Sequence, residues 1–335
     1  MTHVTAPTVI CLRPEEDFLS VGIKPPGELN VVYGELDELD DDVLSIARAI
    51  VLASVGSPVS LSSMERLPAL ELVQFTGAGI DRAGDLNHYR PGIAVANVPA
   101  ANAREVAEYV LFAAGALLRR LAFADREVRA GRYAQARAQL GPSTVRSIHA
   151  RTVGVIGMGN IGFAVARLLC AAGARVVYHD PAPSRAREAQ ELGLERIELG
   201  ELLANCDVVT LHVPLLEATR GLIGEKQLRA MPPGAVLINA SRGGVVDEAA
   251  LAAVLSEGHL GGAAVDVYSQ EPPPADSPLL RLAPPAGDLV LFTPHIAGVA
   301  YEAAQGLYSE AWANVYRVLV KGEAVRHQVW PRAQT

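Results

Sequence analysis

Three polar residues stand just beyond short apolar runs: Arg242 after GAVLINAS, Glu271 shortly after GGAAVDVY, and His295 after DLVLFTP. A guanidinium holds an anionic carboxylate and polarises a neighbouring carbonyl through its fork of donors. An imidazole gives or takes a proton near neutral pH. A carboxylate hydrogen-bonded to that imidazole favours the charged form of the ring. Together they are what proton-coupled reduction of a 2-oxo acid requires, with Arg242 binding the substrate, His295 as acid/base and Glu271 tuning it. Taken singly, each has an ordinary explanation: a surface cation, an acid beside the loop prolines EPPP, a histidine capping its own backbone.

The stretch VGVIGMGNIGFAVARLL supplies the missing redox partner, because Gly157, Gly159 and Gly162 fall in GxGxxG register. An apolar run precedes them, a helical pattern follows, and a second apolar run ends in Asp180, eighteen residues past the last glycine. That context defines a dinucleotide site. Gly157 permits the tight turn, Gly159 the approach of a pyrophosphate, and Gly162 close packing of helix on strand. Asp180 would accept the adenosine ribose hydroxyls and repel a 2′-phosphate, which selects NAD over NADP; Arg185 and Arg187 slightly weaken that exclusion. Asp266 lies inside the apolar run AAVDVY, where a carboxylate is costly without a partner. The partner is either a nicotinamide carboxamide or neighbouring backbone.

These residues need strands to position them. TVICL, LNVVY, AIVLAS, LELVQFT and IAVANV occupy the first hundred residues, and RTVGVIG, ARVVYHD, CDVVTLHVP, GAVLINAS, GGAAVDVY and DLVLFTP follow Arg151. Apolar runs alternating with helical patterns predict βαβ units, hence two doubly wound parallel sheets in an α/β chain. In such sheets ligands bind beyond the carboxyl ends of the strands, which puts Arg242, Glu271 and His295 at one crevice. Between the two series, AREVAEYVLFAAGALLRRLAFADREVRAG predicts one long helix or two consecutive ones. EAAQGLYSEAWANVYRVLVKG predicts another, with Trp312, Val315, Tyr316 and Leu319 on its packing face.

A chain of 335 residues is long enough for two domains with proper cores. Its formal charge of −8 argues against nucleic acid as a partner. Cys11, Cys170 and Cys206 are odd in number and set among apolar neighbours, so they read as reduced core thiols, in keeping with a cytoplasmic protein. No leader or membrane segment is expected, since the opening MTHVTAPTVICLRPEED lacks a basic start and ARAIVLASV is too short to cross a bilayer. No metal site is expected either.

The motifs VGVIGMGNIG, LHVPLLEATRGLI, MPPGAVLINASRGGVVDEAAL, GGAAVDVYSQEP and TPHIAG closely resemble, in order and spacing, those of the D-isomer-specific 2-hydroxyacid dehydrogenase family. The match is close over residues 150 to 300 and looser earlier, through TGAGIDRAGDL and VPAANAREVAEYVL. The resemblance implies Arg242, Glu271 and His295 as the catalytic set. It implies NAD contacts from Asn160, Ile161, Asp180, Val213, Pro214, Ala240, Ser241, Arg242, Asp266, and the loop from His295 to Gly298. Gly77, Ala78 and Gly79 would offer backbone amides to the substrate carboxylate, an arrangement that makes sense as an anion nest. The implied architecture is a Rossmann cofactor domain, 101–299, inserted into a flavodoxin-like substrate domain built from 1–100 and 300–335. Hinges would lie near Pro99 and Pro294, and closure about them would expel water. The long helix from Ala103 to Gly131 resembles a dimerisation arm, which implies a homodimer.

Tyr133 in AGRYAQA and the lead RSIHARTVG depart from the family pattern, and ASVGSP, which would wall the side-chain pocket, points to no single acid. Tyr301 is read as a packing residue. Two other functions stay open: an NADH-sensing corepressor-like binding protein, and a relative that oxidises phosphite or formate.

Overall fold

The structure, a computed structural model, describes residues 6–331. The expectation about a leader rests partly on residues 1–5, outside the described residues. The chain divides into two compact units: the described residues up to Asn102 together with those from Ala300, and Ala103–Val299.

In the first unit the runs read as strands form β1 (Thr8–Cys11), β2 (Asn30–Tyr33), β3 (Ala47–Leu52), β4 (Leu72–Phe75) and β5 (Ala94–Ala96). The second unit contains β6 (Thr152–Ile156), β7 (Arg175–His179), β8 (Glu195–Arg196), β9 (Val208–Leu211), β10 (Val236–Asn239), β11 (Gly262–Val265) and β12 (Val290–Phe292). The chain then returns to the first unit for β13 (Gln328–Trp330).

The first sheet runs β13-β5-β4-β3-β1-β2, parallel except for β13, which pairs antiparallel with β5. Without β13 this is the flavodoxin-like order. One face of the sheet is covered by the helix Tyr301–Leu319, which buries Trp312, Val315 and Leu319 against Val9, Phe18, Ala49 and Leu72. Phe18 lies 4.7 Å from the Tyr308 ring and 5.5 Å from that of Trp312, centroid to centroid. Tyr316, expected on this face, sits at its rim, with Lys321 over its ring. β13 carries too few residues to announce itself by pattern. Asn314 holds the chain leading into it, accepting from the Arg326 amide and donating to the Arg326 carbonyl and to Gln74 on β4.

The second sheet, β12-β11-β10-β9-β6-β7-β8, is parallel throughout. β9, β10 and β11 are wholly buried, which explains a sequence apolar but for Thr210 and Asn239. β8, two exposed residues, has no such pattern. The order reverses between β6 and β9, the switch point at which this class of sheet opens a crevice.

Of the two forms expected for 103–131, two consecutive helices are present rather than a single one. The chain makes Ala103–Leu118 and Leu121–Arg129, because Arg120 adopts a left-handed conformation at φ +52° that no α-helix can carry. A third helix follows at Tyr133–Gln139. Glu127 fastens the group, accepting from Arg126 and from Arg132 at 2.6 Å.

Among the described residues no helix is long and apolar enough to cross a membrane. Trp312→Ala should lower the unfolding free energy of the first unit by about 3–5 kcal/mol, read by urea denaturation followed by circular dichroism. A loss below about 1 kcal/mol would show that the ring does not anchor this core.

Candidate active site

In the second unit every residue singled out for chemistry lies at the carboxyl edge of the sheet. Gly157 follows β6, Asp180 follows β7, Val213 and Pro214 follow β9, Ala240 to Arg242 follow β10, Asp266 and Glu271 follow β11, and His295 to Gly298 follow β12.

The glycine motif closes as its sequence requires. Gly157 turns at φ +95°, and a side chain on Gly162 would fall 1.9 Å from the Gly157 carbonyl oxygen. Helix and strand meet backbone to backbone there. Beside Gly159, the cap of the helix Asn160–Ala171, nothing lies within 4 Å of where a side chain would begin. The space beside this helix N-terminus is thus open, as an approaching anion needs. Ile161 is half-buried in the same turn.

Asp180 is fixed by two amides, Met158 N–H at 2.7 Å on one oxygen and Ala182 N–H at 2.8 Å on the other. Each oxygen keeps acceptor capacity for a ribose hydroxyl. The two arginines differ: Arg187 pairs with Glu191 in solvent, whereas Arg185 donates to the Asn160 side-chain oxygen, at 2.8 Å from Nε, and to Glu188. Sequence spacing alone does not foretell that Arg185 leans over the first turn of the dinucleotide helix. Glycine cradle, helix terminus and acid together fit a bound NAD.

The proton-handling pair is geometrically explicit. His295 Nδ1 lies 2.8 Å and 3.1 Å from the two Glu271 carboxylate oxygens. Donation from Nδ1 to a carboxylate leaves Nε2 for a substrate. Glu271 also accepts from the Tyr268 amide at 3.0 Å. Burial, the largest influence on its carboxyl, pushes the pKa up. The hydrogen bonds from His295 and Tyr268 and the charges of His295 and Arg242 outweigh it, and the net pKa lies below the ordinary value. Another imidazole, His212 just past β9, is driven down to about 3 by desolvation.

Arg242 is brought to this pair by a glycine. A side chain on Gly243 would lie 1.8 Å from the Tyr268 carbonyl oxygen, so the loop after β10 sits directly on the loop that carries Glu271. The Arg242 guanidinium donates to the Ser241 carbonyl at 2.7 Å, and Ser241 is held by Asn239.

Asp266 is 1 % exposed, and the chain itself answers its charge. One oxygen accepts from Thr293 Oγ1 at 2.5 Å and the Ile296 amide at 2.8 Å; the other accepts from the Ala297 amide at 2.9 Å. Of the two partners open to it from sequence, neighbouring backbone is present, and one lone-pair direction is left over. Thr293, which donates to Asp266, and Tyr109, whose hydroxyl lies 2.7 Å from Thr293 Oγ1, escaped the sequence reading because the carboxylate they converge on is far away in the chain; so did Tyr268, whose hydroxyl donates to the Val265 and Thr293 carbonyls.

In the first unit, Gly77, Ala78 and Gly79 follow β4. The Gly77 carbonyl accepts from the Val98 amide at 3.0 Å and that of Ala78 from Asn97 at 2.6 Å, while the three amides have no partner among the described residues. Amides left over in this way are available to an outside acceptor. Ser54 Oγ packs against Gly77 and is itself buried without a partner. Among the described residues no cluster of His, Cys, Asp and Glu could hold a metal.

Comparison with known proteins agrees with this geometry. The profile described as D-isomer specific 2-hydroxyacid dehydrogenase, NAD binding domain, matches residues 111–297. A glyoxylate reductase of Korarchaeum cryptofilum is 39% identical over 255 residues, 75% of this chain and 74% of that protein. A D-3-phosphoglycerate dehydrogenase of Archaeoglobus fulgidus is 37% identical over 255 residues, 76% of this chain; the chain spans only 46% of that longer protein. Among solved structures, D-lactate dehydrogenase of Aquifex aeolicus, complexed with NAD and lactic acid, superposes with a TM-score of 0.80 at 27% identity, covering 94% of this chain and 96% of its own. The chain belongs to the D-isomer specific 2-hydroxyacid dehydrogenases, oxidoreductases that act on CH–OH donors with NAD.

Because the Glu271 carboxyl is held below its ordinary 4.5 in the folded chain, its pairing stabilises fully above that value and is lost as pH falls through the lower, folded one. The stability gap between the parent and Glu271→Gln, measured by urea denaturation, should therefore shrink as pH falls below about 4.5. A gap that stays constant into acid would mean that Glu271 is not held in this way.

Proposed function

We propose that the protein interconverts a small 2-oxo acid and the corresponding D-2-hydroxy acid, with Arg242, Glu271 and His295 as its catalytic set. The observation that carries this reading is the His295–Glu271 pair at 2.8 Å on the same sheet edge as the dinucleotide cradle. The bound cofactor would supply or take the hydride. Arg242 binds the substrate carboxylate and polarises its carbonyl, while His295 Nε2 gives the carbonyl oxygen its proton in reduction and removes the hydroxyl proton in oxidation. Glu271 accepts from Nδ1 and so orients the ring. Within the first unit the amides of Gly77, Ala78 and Gly79 are read as carboxylate-binding groups, and the second unit is the cofactor domain.

Around the cofactor, Gly157, Gly159, Asn160, Ile161 and Gly162 take the pyrophosphate and Asp180 the ribose. Val213, Pro214, Ala240, Ser241, Asp266 and the 295–298 loop line the rest. The protein is read as a cytoplasmic homodimer: its three thiols are free, and the helices between Ala103 and Gln139 expose Phe112, Leu121, Val128 and Tyr133.

A panel of glyoxylate, hydroxypyruvate, pyruvate, phenylpyruvate and 3-sulfopyruvate with NADH and NADPH tests the activity. No turnover with any of them alongside tight NADH binding would favour a cofactor-sensing role instead. His295→Ala should cut kcat by roughly 10²–10⁴ and leave the Kd for NADH nearly unchanged, since the imidazole acts mainly in the transition state. Loss of soluble protein would instead make His295 a packing residue. Asp180→Ala should erode the ratio of kcat/KM for NADH over NADPH by about tenfold or more, and an unaltered ratio would count against its ribose assignment.

A further inference from the structure

We infer that Tyr109 and Thr293 are positioning residues for His295, acting through a proton-ordered chain that runs Tyr109–Thr293–Asp266 and ends on the backbone of the histidine loop. The inference rests on the reading of His295 as the acid/base.

The direction of the chain follows from chemistry. An ionised carboxylate only accepts, so Thr293 Oγ1, 2.5 Å from Asp266 Oδ1, must donate its one proton there. Its remaining capacity is as an acceptor, and the Tyr109 hydroxyl at 2.7 Å must then be the donor. The phenol is suited to that role, because desolvation by burial raises its pKa and keeps it protonated. Asp266, oriented from one side by Thr293, receives the amides of Ile296 and Ala297 from the other. Its carbonyl accepts the His295 amide at 2.8 Å. The Tyr268 hydroxyl completes the frame by donating to the Thr293 carbonyl at 3.0 Å.

What the chain holds in place would not hold itself. His295 sits at φ +55°, a left-handed conformation uncommon for a residue with a side chain, and it persists where surrounding bonds over-determine it. His295 and the two residues after it each give their amide to Asp266, so the backbone at His295 has little freedom to leave that conformation. The ring direction, and thus the 2.8 Å approach of Nδ1 to Glu271, depends on that backbone. Tyr109 touches neither Glu271 nor His295 in this arrangement, and its effect is transmitted.

The test compares Tyr109→Phe, Thr293→Val and Thr293→Ser with the parent. Thr293→Val should lower kcat about 10- to 100-fold with KM for the 2-oxo acid changed less than about threefold; Tyr109→Phe should lower kcat severalfold, and Thr293→Ser, which keeps the hydroxyl, should return most of the loss. Independently of turnover, nitrogen NMR of the cofactor-free protein should show a defined His295 tautomer, protonated on Nδ1, that becomes mixed in Thr293→Val and Tyr109→Phe. Melting temperatures that fall while kcat and the tautomer hold, in whichever variants fold, would reduce both residues to structural ones and overturn the inference. His295→Gln separates the two levels. If it abolishes turnover while the Tyr109 and Thr293 variants leave kcat and tautomer untouched, the inference fails and the acid/base assignment stands. If His295→Gln itself turns over normally, both fail.

Discussion

A carboxylate taken out of water must be met by donors, and Asp266 is where this protein meets that demand most completely. Its oxygens draw in one hydroxyl and two amides, all from the strand end and loop that follow β12. The loop bearing His295 is therefore shaped around a charge, and its strained backbone is stabilised by bonds that folding makes in any case. The imidazole inherits its place from this frame. Electrostatic groups fixed before a reaction begins need little reorganisation during it.

Most of the frame was legible in the residues because buried parallel strands have almost no other way to be written. VGVIG, DVVTLHV, AVLIN and AAVDV could hardly be anything but central strands, and their carboxyl ends locate Gly157, Val213, Arg242 and Asp266. His295 and Glu271 were found by the same rule joined to complementary chemistry. β8 and β13 escaped it because two or three residues at a sheet edge carry no periodicity. Tertiary context also escaped it. The arginine pair at 119–120 has strong helix formers on both sides, and nothing local says that Arg120 will turn left-handed and split the helix.

Polar side chains were the least legible. A tyrosine on the helix Ala103–Leu118 and a threonine far later in the chain join at one carboxylate, and neither stands in a motif. Arg185 looked like a modest counterweight to Asp180, yet its guanidinium is engaged by Asn160 and Glu188. Spacing tells which strand end a residue occupies, whereas hydrogen-bond partners depend on rotamers that only packing selects.

The contact at Gly243 has a consequence for how such a protein can diversify. With the Arg242 loop resting on the backbone at Tyr268 and Ser269, the pieces that bear the arginine and the glutamate cannot drift apart without losing a van der Waals seat that admits no side chain. The two loops behave as one casting. Variation in which acid is accepted is then free to accumulate on surfaces away from that seat, so a lineage can explore new substrates by remodelling walls while the chemistry stays the same.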